Sequence, residues 1–430
     1  MSTNDFIINM LNIDRNIIER ITTIKSNDDI IAKIRLKPKP CICPDCNSKM
    51  IIHSYVIRNL KHTALVNRKC TIVYERRRYY CKNCKTTTLE DNPFINSKEH
   101  VTYETKINVL MDLKNPAITY TTVANRYNLS VTNVLRIFDK HVDIPRKPLP
   151  KVLSIDEHYF PESNFDSLYC LVMLDFLSGE VIDILPDRKK KYFSNYLNNI
   201  KNATLDPRSR KSELNNVKYV SIDMYDTYRE LAHQYFPKAL VCADSFHVIK
   251  NLTEAFQKVI IRCRKQTEDD KIIYLLTKFR RVLYHDTDID NKGKYNRLFN
   301  RKLNYRDMQT ILFERFPYLK KAYELKERYI SFNRNATYET ANEQLLELIE
   351  AFGKSDIKEY EIFYNTLINW HDEIVNSFII IDGKRINNSY IESINRKIEL
   401  LFYNSNGFTN FRRTRNRLLY CLNPKDRFKI

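Results

Sequence analysis

Three carboxylate side chains stand where the predicted secondary structure can bring them together. Asp156 and Asp223 each follow a Ser-Ile pair that ends a predicted apolar strand, and Glu392 lies on a predicted late helix. Carboxylates at the ends of neighbouring strands can hold two hard cations about 3.5–4 Å apart, a pair that stabilises both attacking and leaving oxygens in phosphoryl transfer. The structural alternatives are that each Asp is an ordinary turn residue and that Ser389-x-x-Glu392 is a capping box.

Two other acids compete for the same role. Glu157 follows Asp156 directly, but in a continuing strand its side chain points to the opposite face. Asp244 follows the last predicted strand and begins the sequence Asp244-Ser245-Phe246-His247. This DxxH pattern is compatible with a metal site, with a hydrogen bond that supports the acids, or with a helix cap.

Further polar side chains share the helical face of Glu392. Asn388 and Asn395 lie four residues before and three residues after it, and Arg396 lies four residues after it. Residues three and four apart are neighbours on a helix surface. We therefore expect the two asparagines to support the acids and Arg396 to hold a phosphate.

Two CxxC pairs predict a structural zinc site. Cys43 with Cys46 and Cys81 with Cys84 supply the four thiolates that tetrahedral Zn²⁺ takes, each pair from one tight turn. The gap between the pairs exceeds the usual spacing but can hold the hairpin of a long zinc ribbon. A redox pair and half-sites of different metals are the alternatives, and Cys41 is a nearby thiol that could replace Cys43.

Residues 121–138 have the pattern of two short helices joined by a turn. Asn128 can take a left-handed conformation and Ser130 can cap the second helix. The outer face of that helix carries side chains that reach base edges and phosphates in helix-turn-helix proteins. The alternative is an ordinary helical hairpin. The predicted DNA-contacting residues are Thr132, Asn133 and Arg136, and the predicted apolar stripe is Val131, Val134, Leu135 and Phe138.

The elements around these residues predict a multidomain α+β protein. Strand-like runs lie between the CxxC pairs, and three prolines in 145–150 form a linker. The next hundred residues have the order β-β-β-α-β-α-β, and from about 248 to 380 the chain is helical with no clear strand. The predicted segments are 1–95, 96–145, 151–250, 251–380 and 381–430.

Composition restricts the class of partner. The 430 residues contain 71 Lys and Arg against 52 Asp and Glu, a formal net charge of +19. Such an excess suits a polyanion such as nucleic acid. The sequence contains no GxxxxGK[ST] or GxGxxG motif, and it has neither a secretory signal nor an apolar run long enough to span a membrane.

The motifs together resemble the ISL3 family of bacterial insertion-sequence transposases. The likeness runs from about residue 30 to 420 and includes the ribbon Cys43–Cys84, the block Ser154–Glu157, the ordered string Ser221–His247 and the block Asn388–Leu419. The family has two glycines around its third acid where this chain has Ser389 and Ser393, and a basic Lys-x-x-x-Arg is absent at 399–403.

This resemblance implies a zinc ribbon and a helix-turn-helix domain followed by an RNase H-like catalytic domain with a helical insertion at about 251–380. The implied catalytic triad is Asp156, Asp223 and Glu392, with Asp244 as an alternative second acid. Two Mg²⁺ or Mn²⁺ ions per active site and one structural Zn²⁺ are implied as cofactors. The implied partners are double-stranded DNA, as transposon ends and target, and a second copy of the chain, in the bacterial cytoplasm at the nucleoid.

The predicted activity is cleavage at the inverted repeats of an insertion sequence followed by strand transfer. Basic runs at 76–78, 188–191 and 412–413 would bind phosphates unless they are merely solvated faces. One rival interpretation is a DNA-binding regulator or inactive transposase remnant, whose DNA binding would tolerate loss of Asp156. The other is a metal-dependent nuclease that cuts without joining.

Overall fold

The computed structural model divides into two compact units. It describes residues 8–9, 11–26, 29–65, 68–96, 98–160, 165–284, 288–387, 389–405 and 410–429. The first unit contains residues 1–145 and 396–430, and the second contains residues 146–395. The division into five segments stays a prediction, because this grouping by contacts does not delimit separate folds.

The first unit opens with a mostly antiparallel sheet. Its strands run in the order β1-β2-β4-β3, with β5 paired to β4, and the β2–β4 pair is parallel. Alternate residues such as Ile34, Leu60, Ile72 and Tyr74 are buried in one apolar cluster, as expected for a sheet with one covered face. The strands are β1 (Ile18–Ser26), β2 (Asp29–Leu36), β3 (Ile51–Leu65), β4 (Arg68–Tyr80) and β5 (Thr87–Leu89).

Three helices follow this sheet. Their N-caps are Thr102, Thr119 and Ser130, and each side chain accepts a hydrogen bond from a backbone N–H of the first turn. Asn128 has φ +52°, so the turn before the third helix is made as its sequence predicts. The helices are α1 (Tyr103–Asp112), α2 (Tyr120–Arg126) and α3 (Val131–His141).

The apolar stripe predicted for α3 is wrong at one position. Val131 is exposed, while Ile137 is buried with Val134 and Phe138. Phe138 contacts the rings of Tyr120 and Tyr420, so the packing that buries this face is centred on the second half of the helix and not on its first turn. Leu135 is only partly buried.

The second unit is built on a five-stranded mixed sheet. The strand order is β10-β9-β6-β7-β8, in which β6, β9 and β10 are parallel and β7 is antiparallel to both its neighbours. The observed element order agrees with the predicted β-β-β-α-β-α-β. The elements are β6 (Val152–Tyr159), β7 (Tyr169–Asp175), β8 (Val181–Leu185), α4 (Lys190–Thr204), β9 (Tyr219–Ile222), α5 (Asp226–Tyr235) and β10 (Leu240–Ala243).

Both faces of this sheet are covered. Leu153, Ile155 and Ile222 on one face join a large core with the helices, while Val152 and Cys242 on the other face pack in a second cluster. The following chain is helical and packs in the same large core. Its helices are α6 (Ser245–Lys265), α7 (Asp270–Lys278), α8 (Tyr305–Arg315), α9 (Pro317–Asn335), α10 (Tyr338–Gly353), α11 (Glu361–Asn369) and α12 (His371–Asn376).

The prediction of no clear strand from about 248 to 380 is wrong at one hairpin, and a second hairpin follows at the end of this segment. A hairpin forms from β11 (Lys294–Asn296) and β12 (Arg301–Leu303), and another from β13 (Ile380–Ile381) and β14 (Lys384–Arg385). Strands of two or three residues are too short to show the alternation of apolar and polar residues that predicts a strand. The second hairpin does carry a recognisable Asp-Gly turn, in which Asp382 and Gly383 both have positive φ.

Two helices complete the chain, α13 (Ser389–Ser405) and α14 (Phe411–Leu422). Within the first unit, α14 packs on α1 and α3. Tyr420 Oη donates a hydrogen bond to the Leu110 carbonyl at 2.9 Å, and Asn416 Nδ2 donates to the Val142 carbonyl at 3.2 Å. No helix among the described residues is long and apolar enough to cross a membrane.

Candidate active site and zinc centre

Four cysteine thiols converge at one end of the β3–β4 hairpin. The Sγ atoms of Cys43, Cys46, Cys81 and Cys84 all lie within 4.8 Å of one another. Four sulfurs around a tetrahedral Zn²⁺ are about 3.8 Å apart, given a Zn–S distance of about 2.3 Å. Sulfur donors in this arrangement fit Zn²⁺. The site therefore fits a structural zinc ion.

Each CxxC pair is held by the same backbone turn. The Asn47 N–H donates to the Cys43 carbonyl at 3.0 Å, and the Lys85 N–H donates to the Cys81 carbonyl at 2.9 Å. Asn47 and Lys85 both have φ +56°, which closes each turn tightly enough for its two thiols to face one point. Local sequence thus shapes each turn, and the pairing of β3 with β4 brings the two turns together.

Cys41 lies outside this set. Its Sγ is 3.7 Å from Met50 Sδ, and burial, followed by the charge of Asp91, raises the pKa of its thiol. By contrast, hydrogen bonds from Ser48 and then from Cys84 lower the pKa of Cys46 to about 6. The hydrogen bond with Cys46, followed by burial, raises the pKa of Cys84 to about 12, so it is the geometry that distinguishes the four-thiol set from Cys41. The alternative in which Cys41 replaces Cys43 has no support.

Three aspartates lie on one face of the second sheet. The last paired residues of β6 and β9 are Ser154 and Ser221, and Asp156 and Asp223 each stand two positions further on. Side chains two residues apart in a strand share a face. Asp244 follows β10 directly, where its N–H donates to the Ile222 carbonyl at 2.8 Å. Asp223 and Asp244 therefore follow the carboxyl ends of β9 and β10, where open α/β sheets bind ligands. Asp156 instead lies within β6, which continues to Tyr159 by pairing with β7, so the prediction that this strand ends at Ile155 is wrong.

Burial and mutual repulsion perturb two of these acids. Burial raises the pKa of Asp156 to about 6, against the opposing effects of the Glu157 N–H and His247. Burial also raises the pKa of Asp223 to about 7, and the charges of Glu157, Asp156 and Asp244 raise it further. Acids held this far from their usual pKa in a cluster are functional-site candidates.

Helix α13 crosses the same face of the sheet. The Tyr390 ring lies 6.2 Å from the Phe176 ring, edge to face, and Asn395 Nδ2 donates to Asp156 Oδ2 at 2.9 Å. These contacts bracket Glu392, which lies three residues before Asn395 and hence on the same helical face. Glu392 is half-buried and has no hydrogen-bond or ion-pair partner in the described part of the chain.

The structure describes the other residues predicted to support the three acids, with one exception. Arg396 is exposed, and Asn388 lies outside the described residues. Asp244 Oδ1 accepts a hydrogen bond from the Phe246 N–H at 3.3 Å, so Asp244 caps α6. His247 Nε2 lies 3.8 Å from Asp244 Oδ2.

Glu157 points to the face opposite Asp156, as the strand alternation predicts, yet its charge is the largest that raises the pKa of Asp223. Its Oε2 accepts from Arg188 Nη1 at 2.5 Å, and its Oε1 accepts from Tyr228 Oη at 2.8 Å. The Arg188 guanidinium also lies 4.6 Å from the centre of the Tyr169 ring. Sequence reasoning treated Arg188 only as one member of a basic run, and no local pattern indicates that it pairs with Glu157.

One predicted phosphate contact is wrong. Arg77, in the basic run 76–78, is only 2% exposed and makes ion pairs with Glu19 and Glu90. A buried arginine must be paired, so its charge is not available to a ligand. By contrast, Thr132 and Arg136 on α3 are exposed and Asn133 is partly exposed.

Replacing Asp223 with Asn should stabilise the protein in buffer free of Mg²⁺ and Mn²⁺. The raised pKa means that the carboxylate disfavours the folded state at every pH above its unfolded value near 4, and the penalty is complete above about 7. We expect the unfolding temperature at pH 8 to rise by about 5 °C, with the gain shrinking towards pH 4. Thermal unfolding followed by circular dichroism measures this.

The matched control is Glu343→Gln, which removes one charge from an exposed position on α10. It should leave the unfolding temperature unchanged at both pH values. A destabilised Asp223→Asn variant at pH 8 would contradict the prediction, because it would mean that the carboxylate is satisfied in the folded protein.

Comparison with known families identifies the class of protein. A family model described as a transposase, of the DDE type, matches residues 153–418. A second model, described as the zinc-finger of transposase IS204/IS1001/IS1096/IS1165, matches residues 39–84. The protein is thus a transposase with an N-terminal zinc ribbon and a mixed α+β architecture.

Both models are those of one family, and the first covers more than half of the chain. The chain belongs to the ISL3 family of insertion-sequence transposases. The resemblance seen in the sequence is confirmed, and the ribbon match includes all four cysteines of the zinc centre. A search of curated proteins found no match.

Proposed function

We propose that the second unit is an RNase H-like catalytic domain in which Asp156, Asp223 and Glu392 form a DDE triad. The observation that carries the proposal is the meeting of the Asp156 strand with the Glu392 helix through the Asn395–Asp156 hydrogen bond. The strand order β10-β9-β6-β7-β8, with β7 antiparallel to its neighbours, is the arrangement that the proposed fold requires.

The donor atoms support a divalent metal of the Mg²⁺ kind. All are oxygens, the ligands that Mg²⁺ prefers. Asp223 Oδ1 and Asn395 Oδ1 are buried with no hydrogen-bond partner among the described residues, and a buried carboxylate oxygen without a partner is costly unless a cation compensates it. When bound, two such ions stabilise the attacking and leaving oxygens of an in-line displacement.

The spacing of the acids also bears on this assignment. In the described residues, only the four cysteines form a group of three or more potential ligands within 4.8 Å of one another. The three acids are therefore more widely spread. A site for two ions about 4 Å apart can take carboxylates separated by more than 4.8 Å, so this spread is compatible with the proposal.

The chain's own residues then have distinct roles. Asp156 is oriented by two donors, because Oδ1 accepts from the Glu157 N–H at 2.8 Å and Oδ2 accepts from Asn395 Nδ2. Among the described residues, Asp223 Oδ1 and the Glu392 carboxylate have no hydrogen-bond partner, so both can serve as metal ligands. Asp244 is a positioning residue that caps α6 and holds His247 near the acids, while Glu157 anchors Arg188 on the other face.

DNA recognition is proposed for the first unit. The exposed face of α3, with Thr132, Asn133 and Arg136, would enter the major groove, and the zinc ribbon would extend the contact. A net charge of +19 supports binding that weakens as salt rises. Joining requires two transposon ends to be held together, so we propose at least a dimer on DNA.

The test is an excision and joining assay. The natural flanks of the gene are cloned around a marker, and purified protein is added with Mg²⁺ or Mn²⁺. We expect cleavage at the flanks and strand-transfer products in a target plasmid. Cleavage without joined products would instead identify a nuclease, and retarded but uncut DNA would identify a regulator or an inactive transposase.

A further inference from the structure

A cavity of about 250 Å³ lies beside the outer face of α3, within the first unit. One wall is the segment 98–101 with Lys106 of α1, and the other is α3 from Asn133 to His141. On α3 the lining residues recur every three or four positions, so they form one helical face. The lining consists of Lys98, Glu99, His100, Val101, Lys106, Asn133, Arg136, Ile137, Lys140 and His141.

The wall formed by 98–101 is fixed to the first sheet. The Lys61 N–H donates to the His100 carbonyl at 2.8 Å, and the Thr102 N–H donates to the Lys61 carbonyl at 3.0 Å. Lys61 Nζ also donates to the Asn128 carbonyl at 2.7 Å, in the turn before α3. One strand residue thus ties both walls to the sheet, and the cavity is pre-organised.

The lining carries four cationic side chains and a single carboxylate. Glu99 makes ion pairs with Lys106 and, at 2.7 Å, with Lys140. Lys106 is only 2% exposed, which is rare for a lysine on a merely solvated basic face. In the described part of the chain, neither Lys98 nor Arg136 has a hydrogen-bond or ion-pair partner. A positive excess therefore remains after Glu99 is paired.

His141 adds a polar group to the cavity. Its Nδ1 lies 2.5 Å from the Lys429 carbonyl and must therefore carry a proton, which leaves Nε2 as the second ring nitrogen. Nε2 is buried and has no partner among the residues that the structure describes. Burial lowers the pKa of His141 against the opposing effect of the Lys429 carbonyl, and the charges of Lys106 and Lys140 lower it further.

We propose that this cavity binds one phosphate of the DNA backbone, with Lys98, Arg136 and Lys140 as its charged contacts. The proposal rests on the proposed DNA binding by α3. It adds the chemical group on the DNA that would fix the position of α3 along the duplex. A phosphate needs convergent positive charge and N–H donors in a small space. Backbone contacts of this kind position a recognition helix, whereas base contacts provide its specificity.

The experiment compares the full-length wild type with a Lys98→Gln/Lys140→Gln double variant. The matched control is Lys69→Gln, an exposed lysine of the same unit that does not line the cavity. Dissociation constants for a duplex carrying the natural flank are measured from 50 to 300 mM salt. Because each phosphate contact contributes about 0.9 to the slope of log K against log salt, we expect the double variant to lose about one from the slope. We also expect it to bind about tenfold more weakly at 0.1 M salt, with the control unchanged.

A second arm locates the contact on the DNA. A neutral methylphosphonate is placed at successive backbone positions of the flank. Wild type should bind more weakly when the methylphosphonate is at one position near the α3 contact. The double variant should bind this modified duplex as well as it binds the unmodified one. An unchanged slope, or equal losses in both proteins at every position, would overturn the cavity proposal while leaving the proposed DNA binding intact.

The remaining outcomes separate the possible sources of the phosphate group. If inorganic phosphate at matched ionic strength stabilises wild type but not the double variant, while their DNA binding is identical, the cavity serves a free anion and the backbone assignment is wrong. If wild type fails to bind any duplex, the proposed DNA binding fails, and the backbone contact fails with it.

Discussion

Conversion of Asp156 or Asp223 to Asn, or of Glu392 to Gln, is expected to abolish cleavage and joining while leaving DNA binding intact. Each change removes a charged oxygen ligand and leaves the shape of the side chain almost the same. Stabilisation of the reacting oxygens by bound metal is worth several kcal/mol, so the rate should fall by about 10³-fold or more. Gel assays of cleavage and strand transfer, run beside a binding assay, measure this.

Two further variants make the result specific. Asn395→Ala removes the amide that orients Asp156, and loss of such a supporting hydrogen bond typically costs about 10–100-fold. Asp244→Asn should keep measurable activity if Asp244 only positions its neighbours. If Asp223→Asn remained active and Asp244→Asn did not, Asp244 would be the second acid of the triad. Full activity in all three triad variants would end the DDE assignment.

Loss of a zinc ligand is expected to have the second large effect. The four thiols join two turns that are distant in the sequence, and the surrounding cluster is small, with Met50 and Tyr79 as its other buried residues. Structural zinc sites contribute about 10–16 kcal/mol of apparent binding free energy, far more than such a cluster can. We therefore expect Cys81→Ser to lose bound zinc, to unfold the two cysteine turns and to weaken DNA binding severely.

Cys41→Ser provides the matched control, since Cys41 lies next to the cluster but outside the four-thiol set. Metal analysis should find one zinc per chain in wild type and in Cys41→Ser, and substantially less in Cys81→Ser. Limited proteolysis should then cut the ribbon only in Cys81→Ser. Equal zinc content in all three proteins would show that the metal site is elsewhere.

Local sequence patterns were sufficient to predict most of the strands and helices and several of the polar residues beside them. The repeated Ser-Ile-Asp sequence at Asp156 and Asp223 predicts a strand before each acid, because strand propensity is local. The end of the first strand was predicted wrongly, because pairing with β7 extends β6 beyond Asp156. The CxxC pairs predict a zinc site for a reason that is also local, since each pair lies within one turn. The cap at Ser130 and the turn at Asn128 were also predicted correctly.

The errors occurred where burial depends on distant segments. Arg77 looks like one of three equivalent arginines, yet Glu19, 58 residues away, makes it a buried ion pair. Val131 and Ile137 have the same apolar character, but only the packing of the helix on its neighbours decides which of them is buried. The hydrophobic period predicts that α3 has an apolar face, but it does not decide which residues lie at the centre of that face.

The sequence by itself determined the family, the order of strands and helices in the second sheet, the four zinc ligands and the strands that precede Asp156 and Asp223. Only the tertiary structure decided that Asn395 contacts Asp156 across 239 residues, that Glu157 is held by Arg188, and that cations on two walls meet beside α3. A sequence motif reflects interactions between residues that are close in the chain. Such local interactions do not depend on the rest of the fold. Contacts between distant residues exist only once sheet pairing and core packing have brought their elements together.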